Sequence, residues 1–546
     1  MKRQGKTKMT ALLIAMLMVL AVFSSACTKT GETSGAADLS RLENKEEVRV
    51  AMMSGDHNFD PCMGWGEYGN ALLQSKLMEV VDGKIVKDLA TEHSISADGL
   101  TWTFKIRDDV KFHDGEPLTA EDVAFTFNKT KSLASSIDLT NMKEAVAVDP
   151  TTVEFKMEAP FSAFLSVAAS LGIVPEHAYK DTESYSKNPI GSGPLKFVQY
   201  DNKQQLIMER NDDYYKDKVK FKRVVLLSMN TDAAFAALKS GEVDVAITNE
   251  ATAQKGLEGL NLAAIESYDY RVISMPCVKA GEKTDKGDPI GNDVTSDIAI
   301  RKALAVGINR ADLIKNVLLG YGEPTFDTFA KFEWGIKDEV ANFKDGDLEK
   351  AKKILDDAGY KDVDGDGLRE NKDGSKLKIN FAARTRDDAN ESLIQQYLLW
   401  WKEVGLDVQL YTGRTIELNS FYDKVQADDP EIDMFAAGWS TGYDPNPEGL
   451  FGEAAKFNFQ RYSSAEGNAI IEKISSTDAF DNSKNIQFYK EWQKYVHDQA
   501  FIFPTLTGES VTAVNKRVKY YDKKIGSNHD ESSMIKLQLT ANEPVK

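Results

Sequence analysis

Histidine and cysteine are scarce in this chain: 546 residues carry 6 histidines and 3 cysteines. None of His57, His93, His113, His177, His497 and His529 lies four residues from another or beside a cysteine at ligand spacing, which argues against a bare transition-metal site. Basic residues are also in deficit, 67 Lys and Arg against 85 Asp and Glu, for a formal net charge of -18. Such a surface repels nucleic acid and anionic lipid headgroups, so neither is expected as the main partner, and cationic solutes are mildly favoured. Beyond the N-terminus no stretch reaches the roughly 18 consecutive apolar residues of a membrane-spanning helix. What the chain does have is length, enough for about two to four domains with large cores.

The one long apolar run opens the chain. Lys2, Arg3, Lys6 and Lys8 precede an unbroken apolar segment from Ala11 to Phe23, and Ser24, Ser25, Ala26 and Cys27 follow. Charged, apolar and small in that order, these regions predict an export signal over residues 1–26. The residues before Cys27 resemble a bacterial lipobox, with Ser24 in place of the usual leucine. The resemblance implies cleavage before Cys27 and a diacylglycerol on its sulfur. Residues 27–43 are small, polar and aperiodic, the composition of a flexible tether, so attachment to the membrane is expected through the lipid alone. In an exported protein Cys62 and Cys277 either pair or stay as separate buried thiols, and spacing leaves both open.

Trp102, Phe104 and Ile106 alternate with Thr103, Lys105 and Arg107, the period of a strand with one buried face. Val110 and Phe112 start a second apolar run, and Asp114-Gly115 supplies a turn. Thr119 with Asp122 then reads as a capping box for a helix that buries Val123 and Phe127. This block resembles, nearly residue for residue, the signature of the peptide/nickel-binding family 5 of ABC-transporter solute-binding proteins. The resemblance implies that His113 and Asp114 are hairpin residues in the scaffold of a first lobe.

Other segments resemble the same family in the same order. Val48 to Met52 is predicted as a strand, followed by the Gly- and aromatic-rich loop 59–70 and the helix-like ALLQSKLMEVV. Asp60-Pro61, with His57 just before it, resembles a family loop that faces the ligand cleft. In NPIGSGPLKFVQY, Gly191 and Gly193 close a turn into a strand, as where the family returns from its small subdomain. A phosphate loop is disfavoured there, because no Lys-Ser/Thr follows and a strand comes next. From Phe235 a helix with Leu238 on its apolar face stops at Gly241 before the strand VDVAI. Residues 297–320 predict two helices, with Ile300, Ala303 and Leu304, then Leu313, Ile314 and Val317, at helical spacing, and with Asn309 and Asp312 as the second cap.

Alternating helices and short apolar strands indicate an α/β class independently of any family. The resemblance adds a two-lobed periplasmic-binding-protein-like fold of type II, the large kind with an extra subdomain, and a ligand cleft between the lobes. Lobe I is then expected over residues 44–270 with the subdomain at about 71–190, lobe II over 271–499, and a return to lobe I over 500–546.

Gly438-Trp439-Ser440-Thr441-Gly442 fits a G-x-S-x-G nucleophile elbow after the predicted strand EIDMFAAGW. The elbow needs a helix at once, and Tyr443-Asp444-Pro445-Asn446-Pro447 opposes one, so a serine hydrolase built on Ser440 is the weaker reading. Resemblance to oligopeptide- and dipeptide-binding members instead puts Trp439 and Asp444 on the cleft wall, with Asp444 pairing with the ligand's ammonium. Gly442 stands where the dipeptide binder's aspartate would fall, and Asp444 as a plain turn residue before Pro445 is an equal alternative. Trp65, Tyr68, Trp439 and Tyr443 offer aromatic surface for apolar groups and cations, whereas Trp400 and Trp401 sit in the helical run LIQQYLLWWKEVG and are expected in a core. Asp362, Asp364, Asp366, Gly367, Glu370 and Asp373 fall at the offsets of a calcium-binding loop, and a polar turn without an ion is the alternative.

The expected protein is therefore not an enzyme and has no cofactor other than a possible structural calcium. It is an exported lipoprotein on the outer face of the cell membrane, monomeric, that captures oligopeptides and delivers them to the transmembrane subunits of an ABC permease. Uptake of nickel or a metal chelate is the alternative within the same class.

Overall fold

The expected strand at Trp102 lies inside a four-stranded antiparallel sheet of Ala90–Ile95, Thr101–Ile106, Thr152–Met157 and Met142–Asp149, in that order. Trp102 and Phe104 are buried opposite Phe155 and Val153, so alternate side chains build one core face, as the pleat requires. Helix Ala120–Ser132 covers that face. The Thr119 N–H donates to Asp122 Oδ2 at 2.9 Å, an N-terminal cap of the kind worth about 1 kcal/mol. Its buried Phe127 ring stands 4.6 Å from Phe155. The second apolar run makes only an isolated bridge, Lys111 to Pro117, around a turn with Gly115 at φ 98°.

The structure is a computed structural model. It describes residues 46–544 except 54–56, 67–71, 82–83, 134, 255–257, 267–268, 284–286, 288, 330–344, 441–445, 454, 456, 463, 520–534 and 543. The signal 1–26, the tether 27–43 with Cys27, and Tyr68, Thr441, Gly442, Tyr443, Asp444 and His529 lie outside the described residues, as does the side chain of Ser440. Leu42–Lys546 is one unit by its internal contacts, and no described helix is long and apolar enough to cross a membrane.

A second, 12-stranded sheet organises the rest. Strand Glu47–Met53 runs parallel between Arg223–Ser228 and Val245–Ile247. The last two are joined by helix Thr231–Ser240, which Gly241 stops at φ 78°. The long strand Ile502–Asn515 pairs with Val245–Ile247 and, antiparallel, with Leu260–Glu266 over its C-terminal part and with Asp269–Ser274 over its N-terminal part. Asp269–Ser274 in turn pairs with Met434–Ser440, beside Lys378–Ala382 and Asp407–Leu410.

Residues 260–266 and 269–274 therefore run beside 502–515 from one set of cores to another. Val48, Val50, Leu206, Met208 and Val514 share one core, whereas Ile273, Leu304, Phe381, Trp401, Phe503 and Leu506 share a second. Met434 and Ala436 face that second core. Phe435, Ala437 and Trp439 alternate to the other face of the strand, where Tyr270, Trp492 and Phe501 form a third. Trp401 is fully buried and its indole N–H donates to the Leu304 carbonyl at 3.0 Å, while Trp400 is only partly buried at the edge of the same core. The two helices of residues 297–320 are Ile298–Val306 and Arg310–Asn316, the second capped by Asn309, whose side chain accepts the Asp312 N–H at 3.1 Å.

One helix expectation fails. ALLQSKLMEVV is not helical among its described residues: Met78–Val81 is a strand paired with Lys84–Lys87. The Leu72 and Leu73 carbonyls, which a helix would use internally, instead accept the N–H groups of Leu195 and Gly193 at 3.1 and 2.9 Å. Glycine is required for that approach, since a Cβ on Gly191 would lie 1.9 Å from the Leu73 carbonyl oxygen and one on Gly193 2.6 Å from that of Leu72.

Cys62 and Cys277 are both free. Cys62 is buried with Val174, Tyr179 and Tyr185, and Cys277 packs on the core of Tyr270 and Trp492. Burial, and then the charge of Asp60, push the Cys62 thiol up to about 12, where it is inert. His113 lies between the backbones of Gly191 and Gly193, at 3.2 and 3.1 Å, and Asp114 pairs with His177 at 2.8 Å.

Candidate functional site

Several strand ends converge where the chain crosses between the two halves. Trp439 and Ser440, the last residues of their strand, pair with Tyr270 and Asp269, and Asp269 is the first described residue after the crossing from Glu266. Lys378–Ala382 runs parallel to that strand and ends earlier, with Ala382 beside Phe435, so that its following loop leads in the same direction. From the other half, the strands ending at Met53 and Ile247 run antiparallel to Ile502–Asn515 and end toward its middle, with Ile247 opposite Thr512. In open sheets the space outside such carboxyl ends is where ligands sit, because backbone N–H groups and loop side chains are free to point into it. Near the middle of the long strand Gly508 pairs with Gly322, and a Cβ on Gly508 would meet nothing within 4 Å, so the strand is open at that one position.

Polar groups near these ends lack partners among the described residues. Thr248, buried just after Ile247, donates its N–H to Val511, but its hydroxyl has no partner among the described residues. Glu250 begins the short helix Glu250–Gln254. Burial raises its carboxyl above the ordinary range, the charge of Asp387 adds to this, and Arg386 opposes it. The loop after Lys378–Ala382 carries Arg384, half-buried, its carbonyl held by the Asn390 side chain at 3.0 Å; its guanidinium makes no ion pair among the described residues. Arg386 pairs with Asp387 at 3.2 Å.

Two groups of aromatic residues pack on separate cores. Trp439 lies 5.6 Å from Phe459 and 6.2 Å from the exposed Phe457. Trp65 stands edge-on to Phe59 at 4.8 Å and to His57 at 6.1 Å, within a cluster that includes Tyr200. The indole N–H groups of both tryptophans lack acceptors among the described residues. Asp60 turns inward: one carboxylate oxygen accepts the Cys62 N–H at 2.9 Å and the other the Tyr179 hydroxyl at 2.5 Å, fixing the loop. Thr248, Glu250 and Arg384 escape a motif search. The signal that finds them is position, a polar or charged residue within three of the end of a strand, the predicted VDVAI or Lys378–Ala382.

The acidic turn is a separate feature. Asp362, Asp364 and Glu370 bring ligand atoms within 4.8 Å of one another. Asp366 joins them through Lys376, whose ammonium lies 2.5, 2.7 and 2.9 Å from Asp364, Asp366 and Glu370. Asp373 is not part of the group, and its carboxylate accepts the N–H and hydroxyl of Ser375.

The family model for bacterial extracellular solute-binding proteins, family 5 Middle, matches residues 84–458. The chain belongs to that family. This family 5 protein is 28% identical over 541 residues to the oligopeptide-binding protein AppA of Bacillus subtilis strain 168, covering 91% of this chain and 93% of AppA. Its fold matches the structure of Bacillus subtilis AppA in complex with a nonapeptide at a TM-score of 0.72, with 22% identity over 91% of this chain and 100% of that one. It also matches Campylobacter jejuni NikZ in complex with Ni(L-His) at 0.75, with 23% identity over 90% and 99%. These are two-lobed periplasmic binding proteins, and the α/β halves joined by crossing strands are that fold.

Proposed function

We propose that this family 5 protein captures oligopeptides between its lobes and hands them to the membrane subunits of an ABC importer. The observation that carries the reading is that strand ends from both lobes approach the same part of the crossing strand, open at Gly508, beside polar groups that have no partner among the described residues. A peptide supplies what they lack. Its carbonyls accept from indole and backbone N–H groups, its carboxylate matches the Arg384 guanidinium, and its side chains rest on Trp65, Trp439 and Phe457. The relationship to peptide-binding AppA supports this chemistry over a metal chelate.

Tyr68, Tyr443 and Asp444 complete the proposed site, with Asp444 taking the ligand's ammonium. Ligand favours the closed arrangement of the lobes by touching both, with no chemistry performed. We place lobe I over residues 44–270 with its subdomain at about 71–190, lobe II over 271–499 and the return over 500–546. Cys27 is the proposed lipidated N-terminus of a monomer on the outer membrane face.

Native mass spectrometry of protein purified without refolding tests the reading, with co-purifying peptides expected. In calorimetric titrations, Arg384→Gln weakens peptides with a free carboxylate, and Asp444→Asn those with a free amine, by roughly 10- to 150-fold, the range of about 1.5–3 kcal/mol for a charge-assisted hydrogen bond. End-blocked peptides lose far less. Protein that carries a metal chelate and gives no heat with any peptide would overturn the proposal.

A further inference from the structure

The lobes meet a second time, away from the crossing strands. Lobe II presents the tight turn Thr477–Phe480 between helices Ala465–Ile474 and Asn482–Gln499. Phe480 packs on the subdomain core of Phe104, Phe155 and Phe164 and stands edge-on to Trp102 at 5.8 Å. Gly99 makes room for it: a Cβ there would come within 2.8 Å of Phe480 Cε2, 3.1 Å of Pro160 and 3.2 Å of Thr477 Cγ2. Beside this contact the Ser162 hydroxyl donates at 3.1 Å to the carbonyl of Ile474, the last residue of a lobe II helix and 312 positions away in sequence. A helix end leaves such carbonyls without partners, so lobe I supplies one.

We propose that Phe480, seated at Gly99, Trp102 and Pro160, is a clasp that favours the closed lobes and so sets ligand affinity from a distance. The proposal rests on the closure reading given above. Phe480 packs against the core of lobe I and stands outside the core clusters of its own lobe, so parting the lobes uncovers both the ring and the Trp102 face it shields. A peptide binding the closed form is helped by this contact without touching it. The population of closed protein multiplies the affinity of every ligand by the same factor.

Phe480→Ala is expected to raise the apparent Kd of several unrelated peptides by one common factor, roughly tenfold. It should also enlarge the radius of gyration of the ligand-free protein in small-angle X-ray scattering, with saturating peptide restoring the compact value. Gly99→Ala, which closes the socket from the other side, should act alike. Losses that differ from peptide to peptide would make Phe480 a ligand contact and overturn the clasp. So would a lowered melting temperature with Kd and radius unchanged. A wild-type radius that does not contract with peptide overturns closure itself and the clasp with it, whereas contraction of the wild type with an unaltered variant overturns the clasp alone.

Discussion

Asp433→Asn should stabilise the protein at neutral pH and do little for it in acid. Asp433, 9% exposed, immediately precedes strand Met434–Ser440. Its Oδ2 accepts the Asn380 N–H at 2.7 Å, and no cation among the described residues pairs with it. Burial pushes its carboxyl from 3.8 to about 6, and the Asn380 hydrogen bond offsets only part of this. Because the folded state holds the proton more tightly than the unfolded chain, the stability of the neutral form is fully present below pH 3.8 and is lost as pH rises through about 6. Two pKa units correspond to about 3 kcal/mol at pH 7. Asparagine keeps the carbonyl acceptor for Asn380 but adds an amide that needs partners, so a net gain of about 1–2 kcal/mol is expected. Urea unfolding of both proteins between pH 4 and 8 reads it. A gain independent of pH, or a loss at pH 8 as large as at pH 4, would refute the reasoning.

Two further outcomes follow from other buried or clustered charges. Lys376→Met removes the ammonium that neutralises the acidic turn, so millimolar calcium should raise the melting temperature of the variant while leaving the wild type nearly unmoved; equal shifts in both would mean that calcium binds beside Lys376. Asp244 and Arg517 form a bidentate pair at 2.5 and 2.8 Å with both side chains almost completely buried, so Asp244→Ala leaves an unpaired guanidinium and should cost about 3–5 kcal/mol in chemical unfolding.

Local signals of the fold were legible where a residue's partner lies a few positions away. The Thr119–Asp122 and Asn309–Asp312 caps, the Gly241 stop and the Trp102–Ile106 alternation all appear as read. The failure at ALLQSKLMEVV has a non-local cause, because the carbonyls of Leu72 and Leu73 are claimed by residues more than a hundred positions on. The acidic turn was legible as a cluster of carboxylates, but Lys376 was not, since only the folded turn brings its ammonium to them. In the site, Trp65 and Trp439 were legible as aromatics near glycine-rich turns, whereas Thr248, Glu250 and Arg384 gain meaning only once strand ends from two lobes meet. Gly438, Trp439 and Ser440 of the G-x-S-x-G pattern end a strand, in a chain of a solute-binding family.

The order in which the sheet is closed bears on how such a chain is made. Strand Glu47–Met53, near the start, borders Val245–Ile247, which completes its pairing only with residues 512–514, and Asp244 waits for Arg517. The first lobe therefore stays unfinished until almost the whole chain is present. For a protein threaded through a membrane N-terminus first, strand Glu47–Met53 has both its neighbours once residue 247 has emerged, but Val245–Ile247 and Asp244 wait for residues 512–517. An incomplete chain keeps an open sheet edge on the far side of the membrane, so translocation and final folding are coupled through a single C-terminal strand.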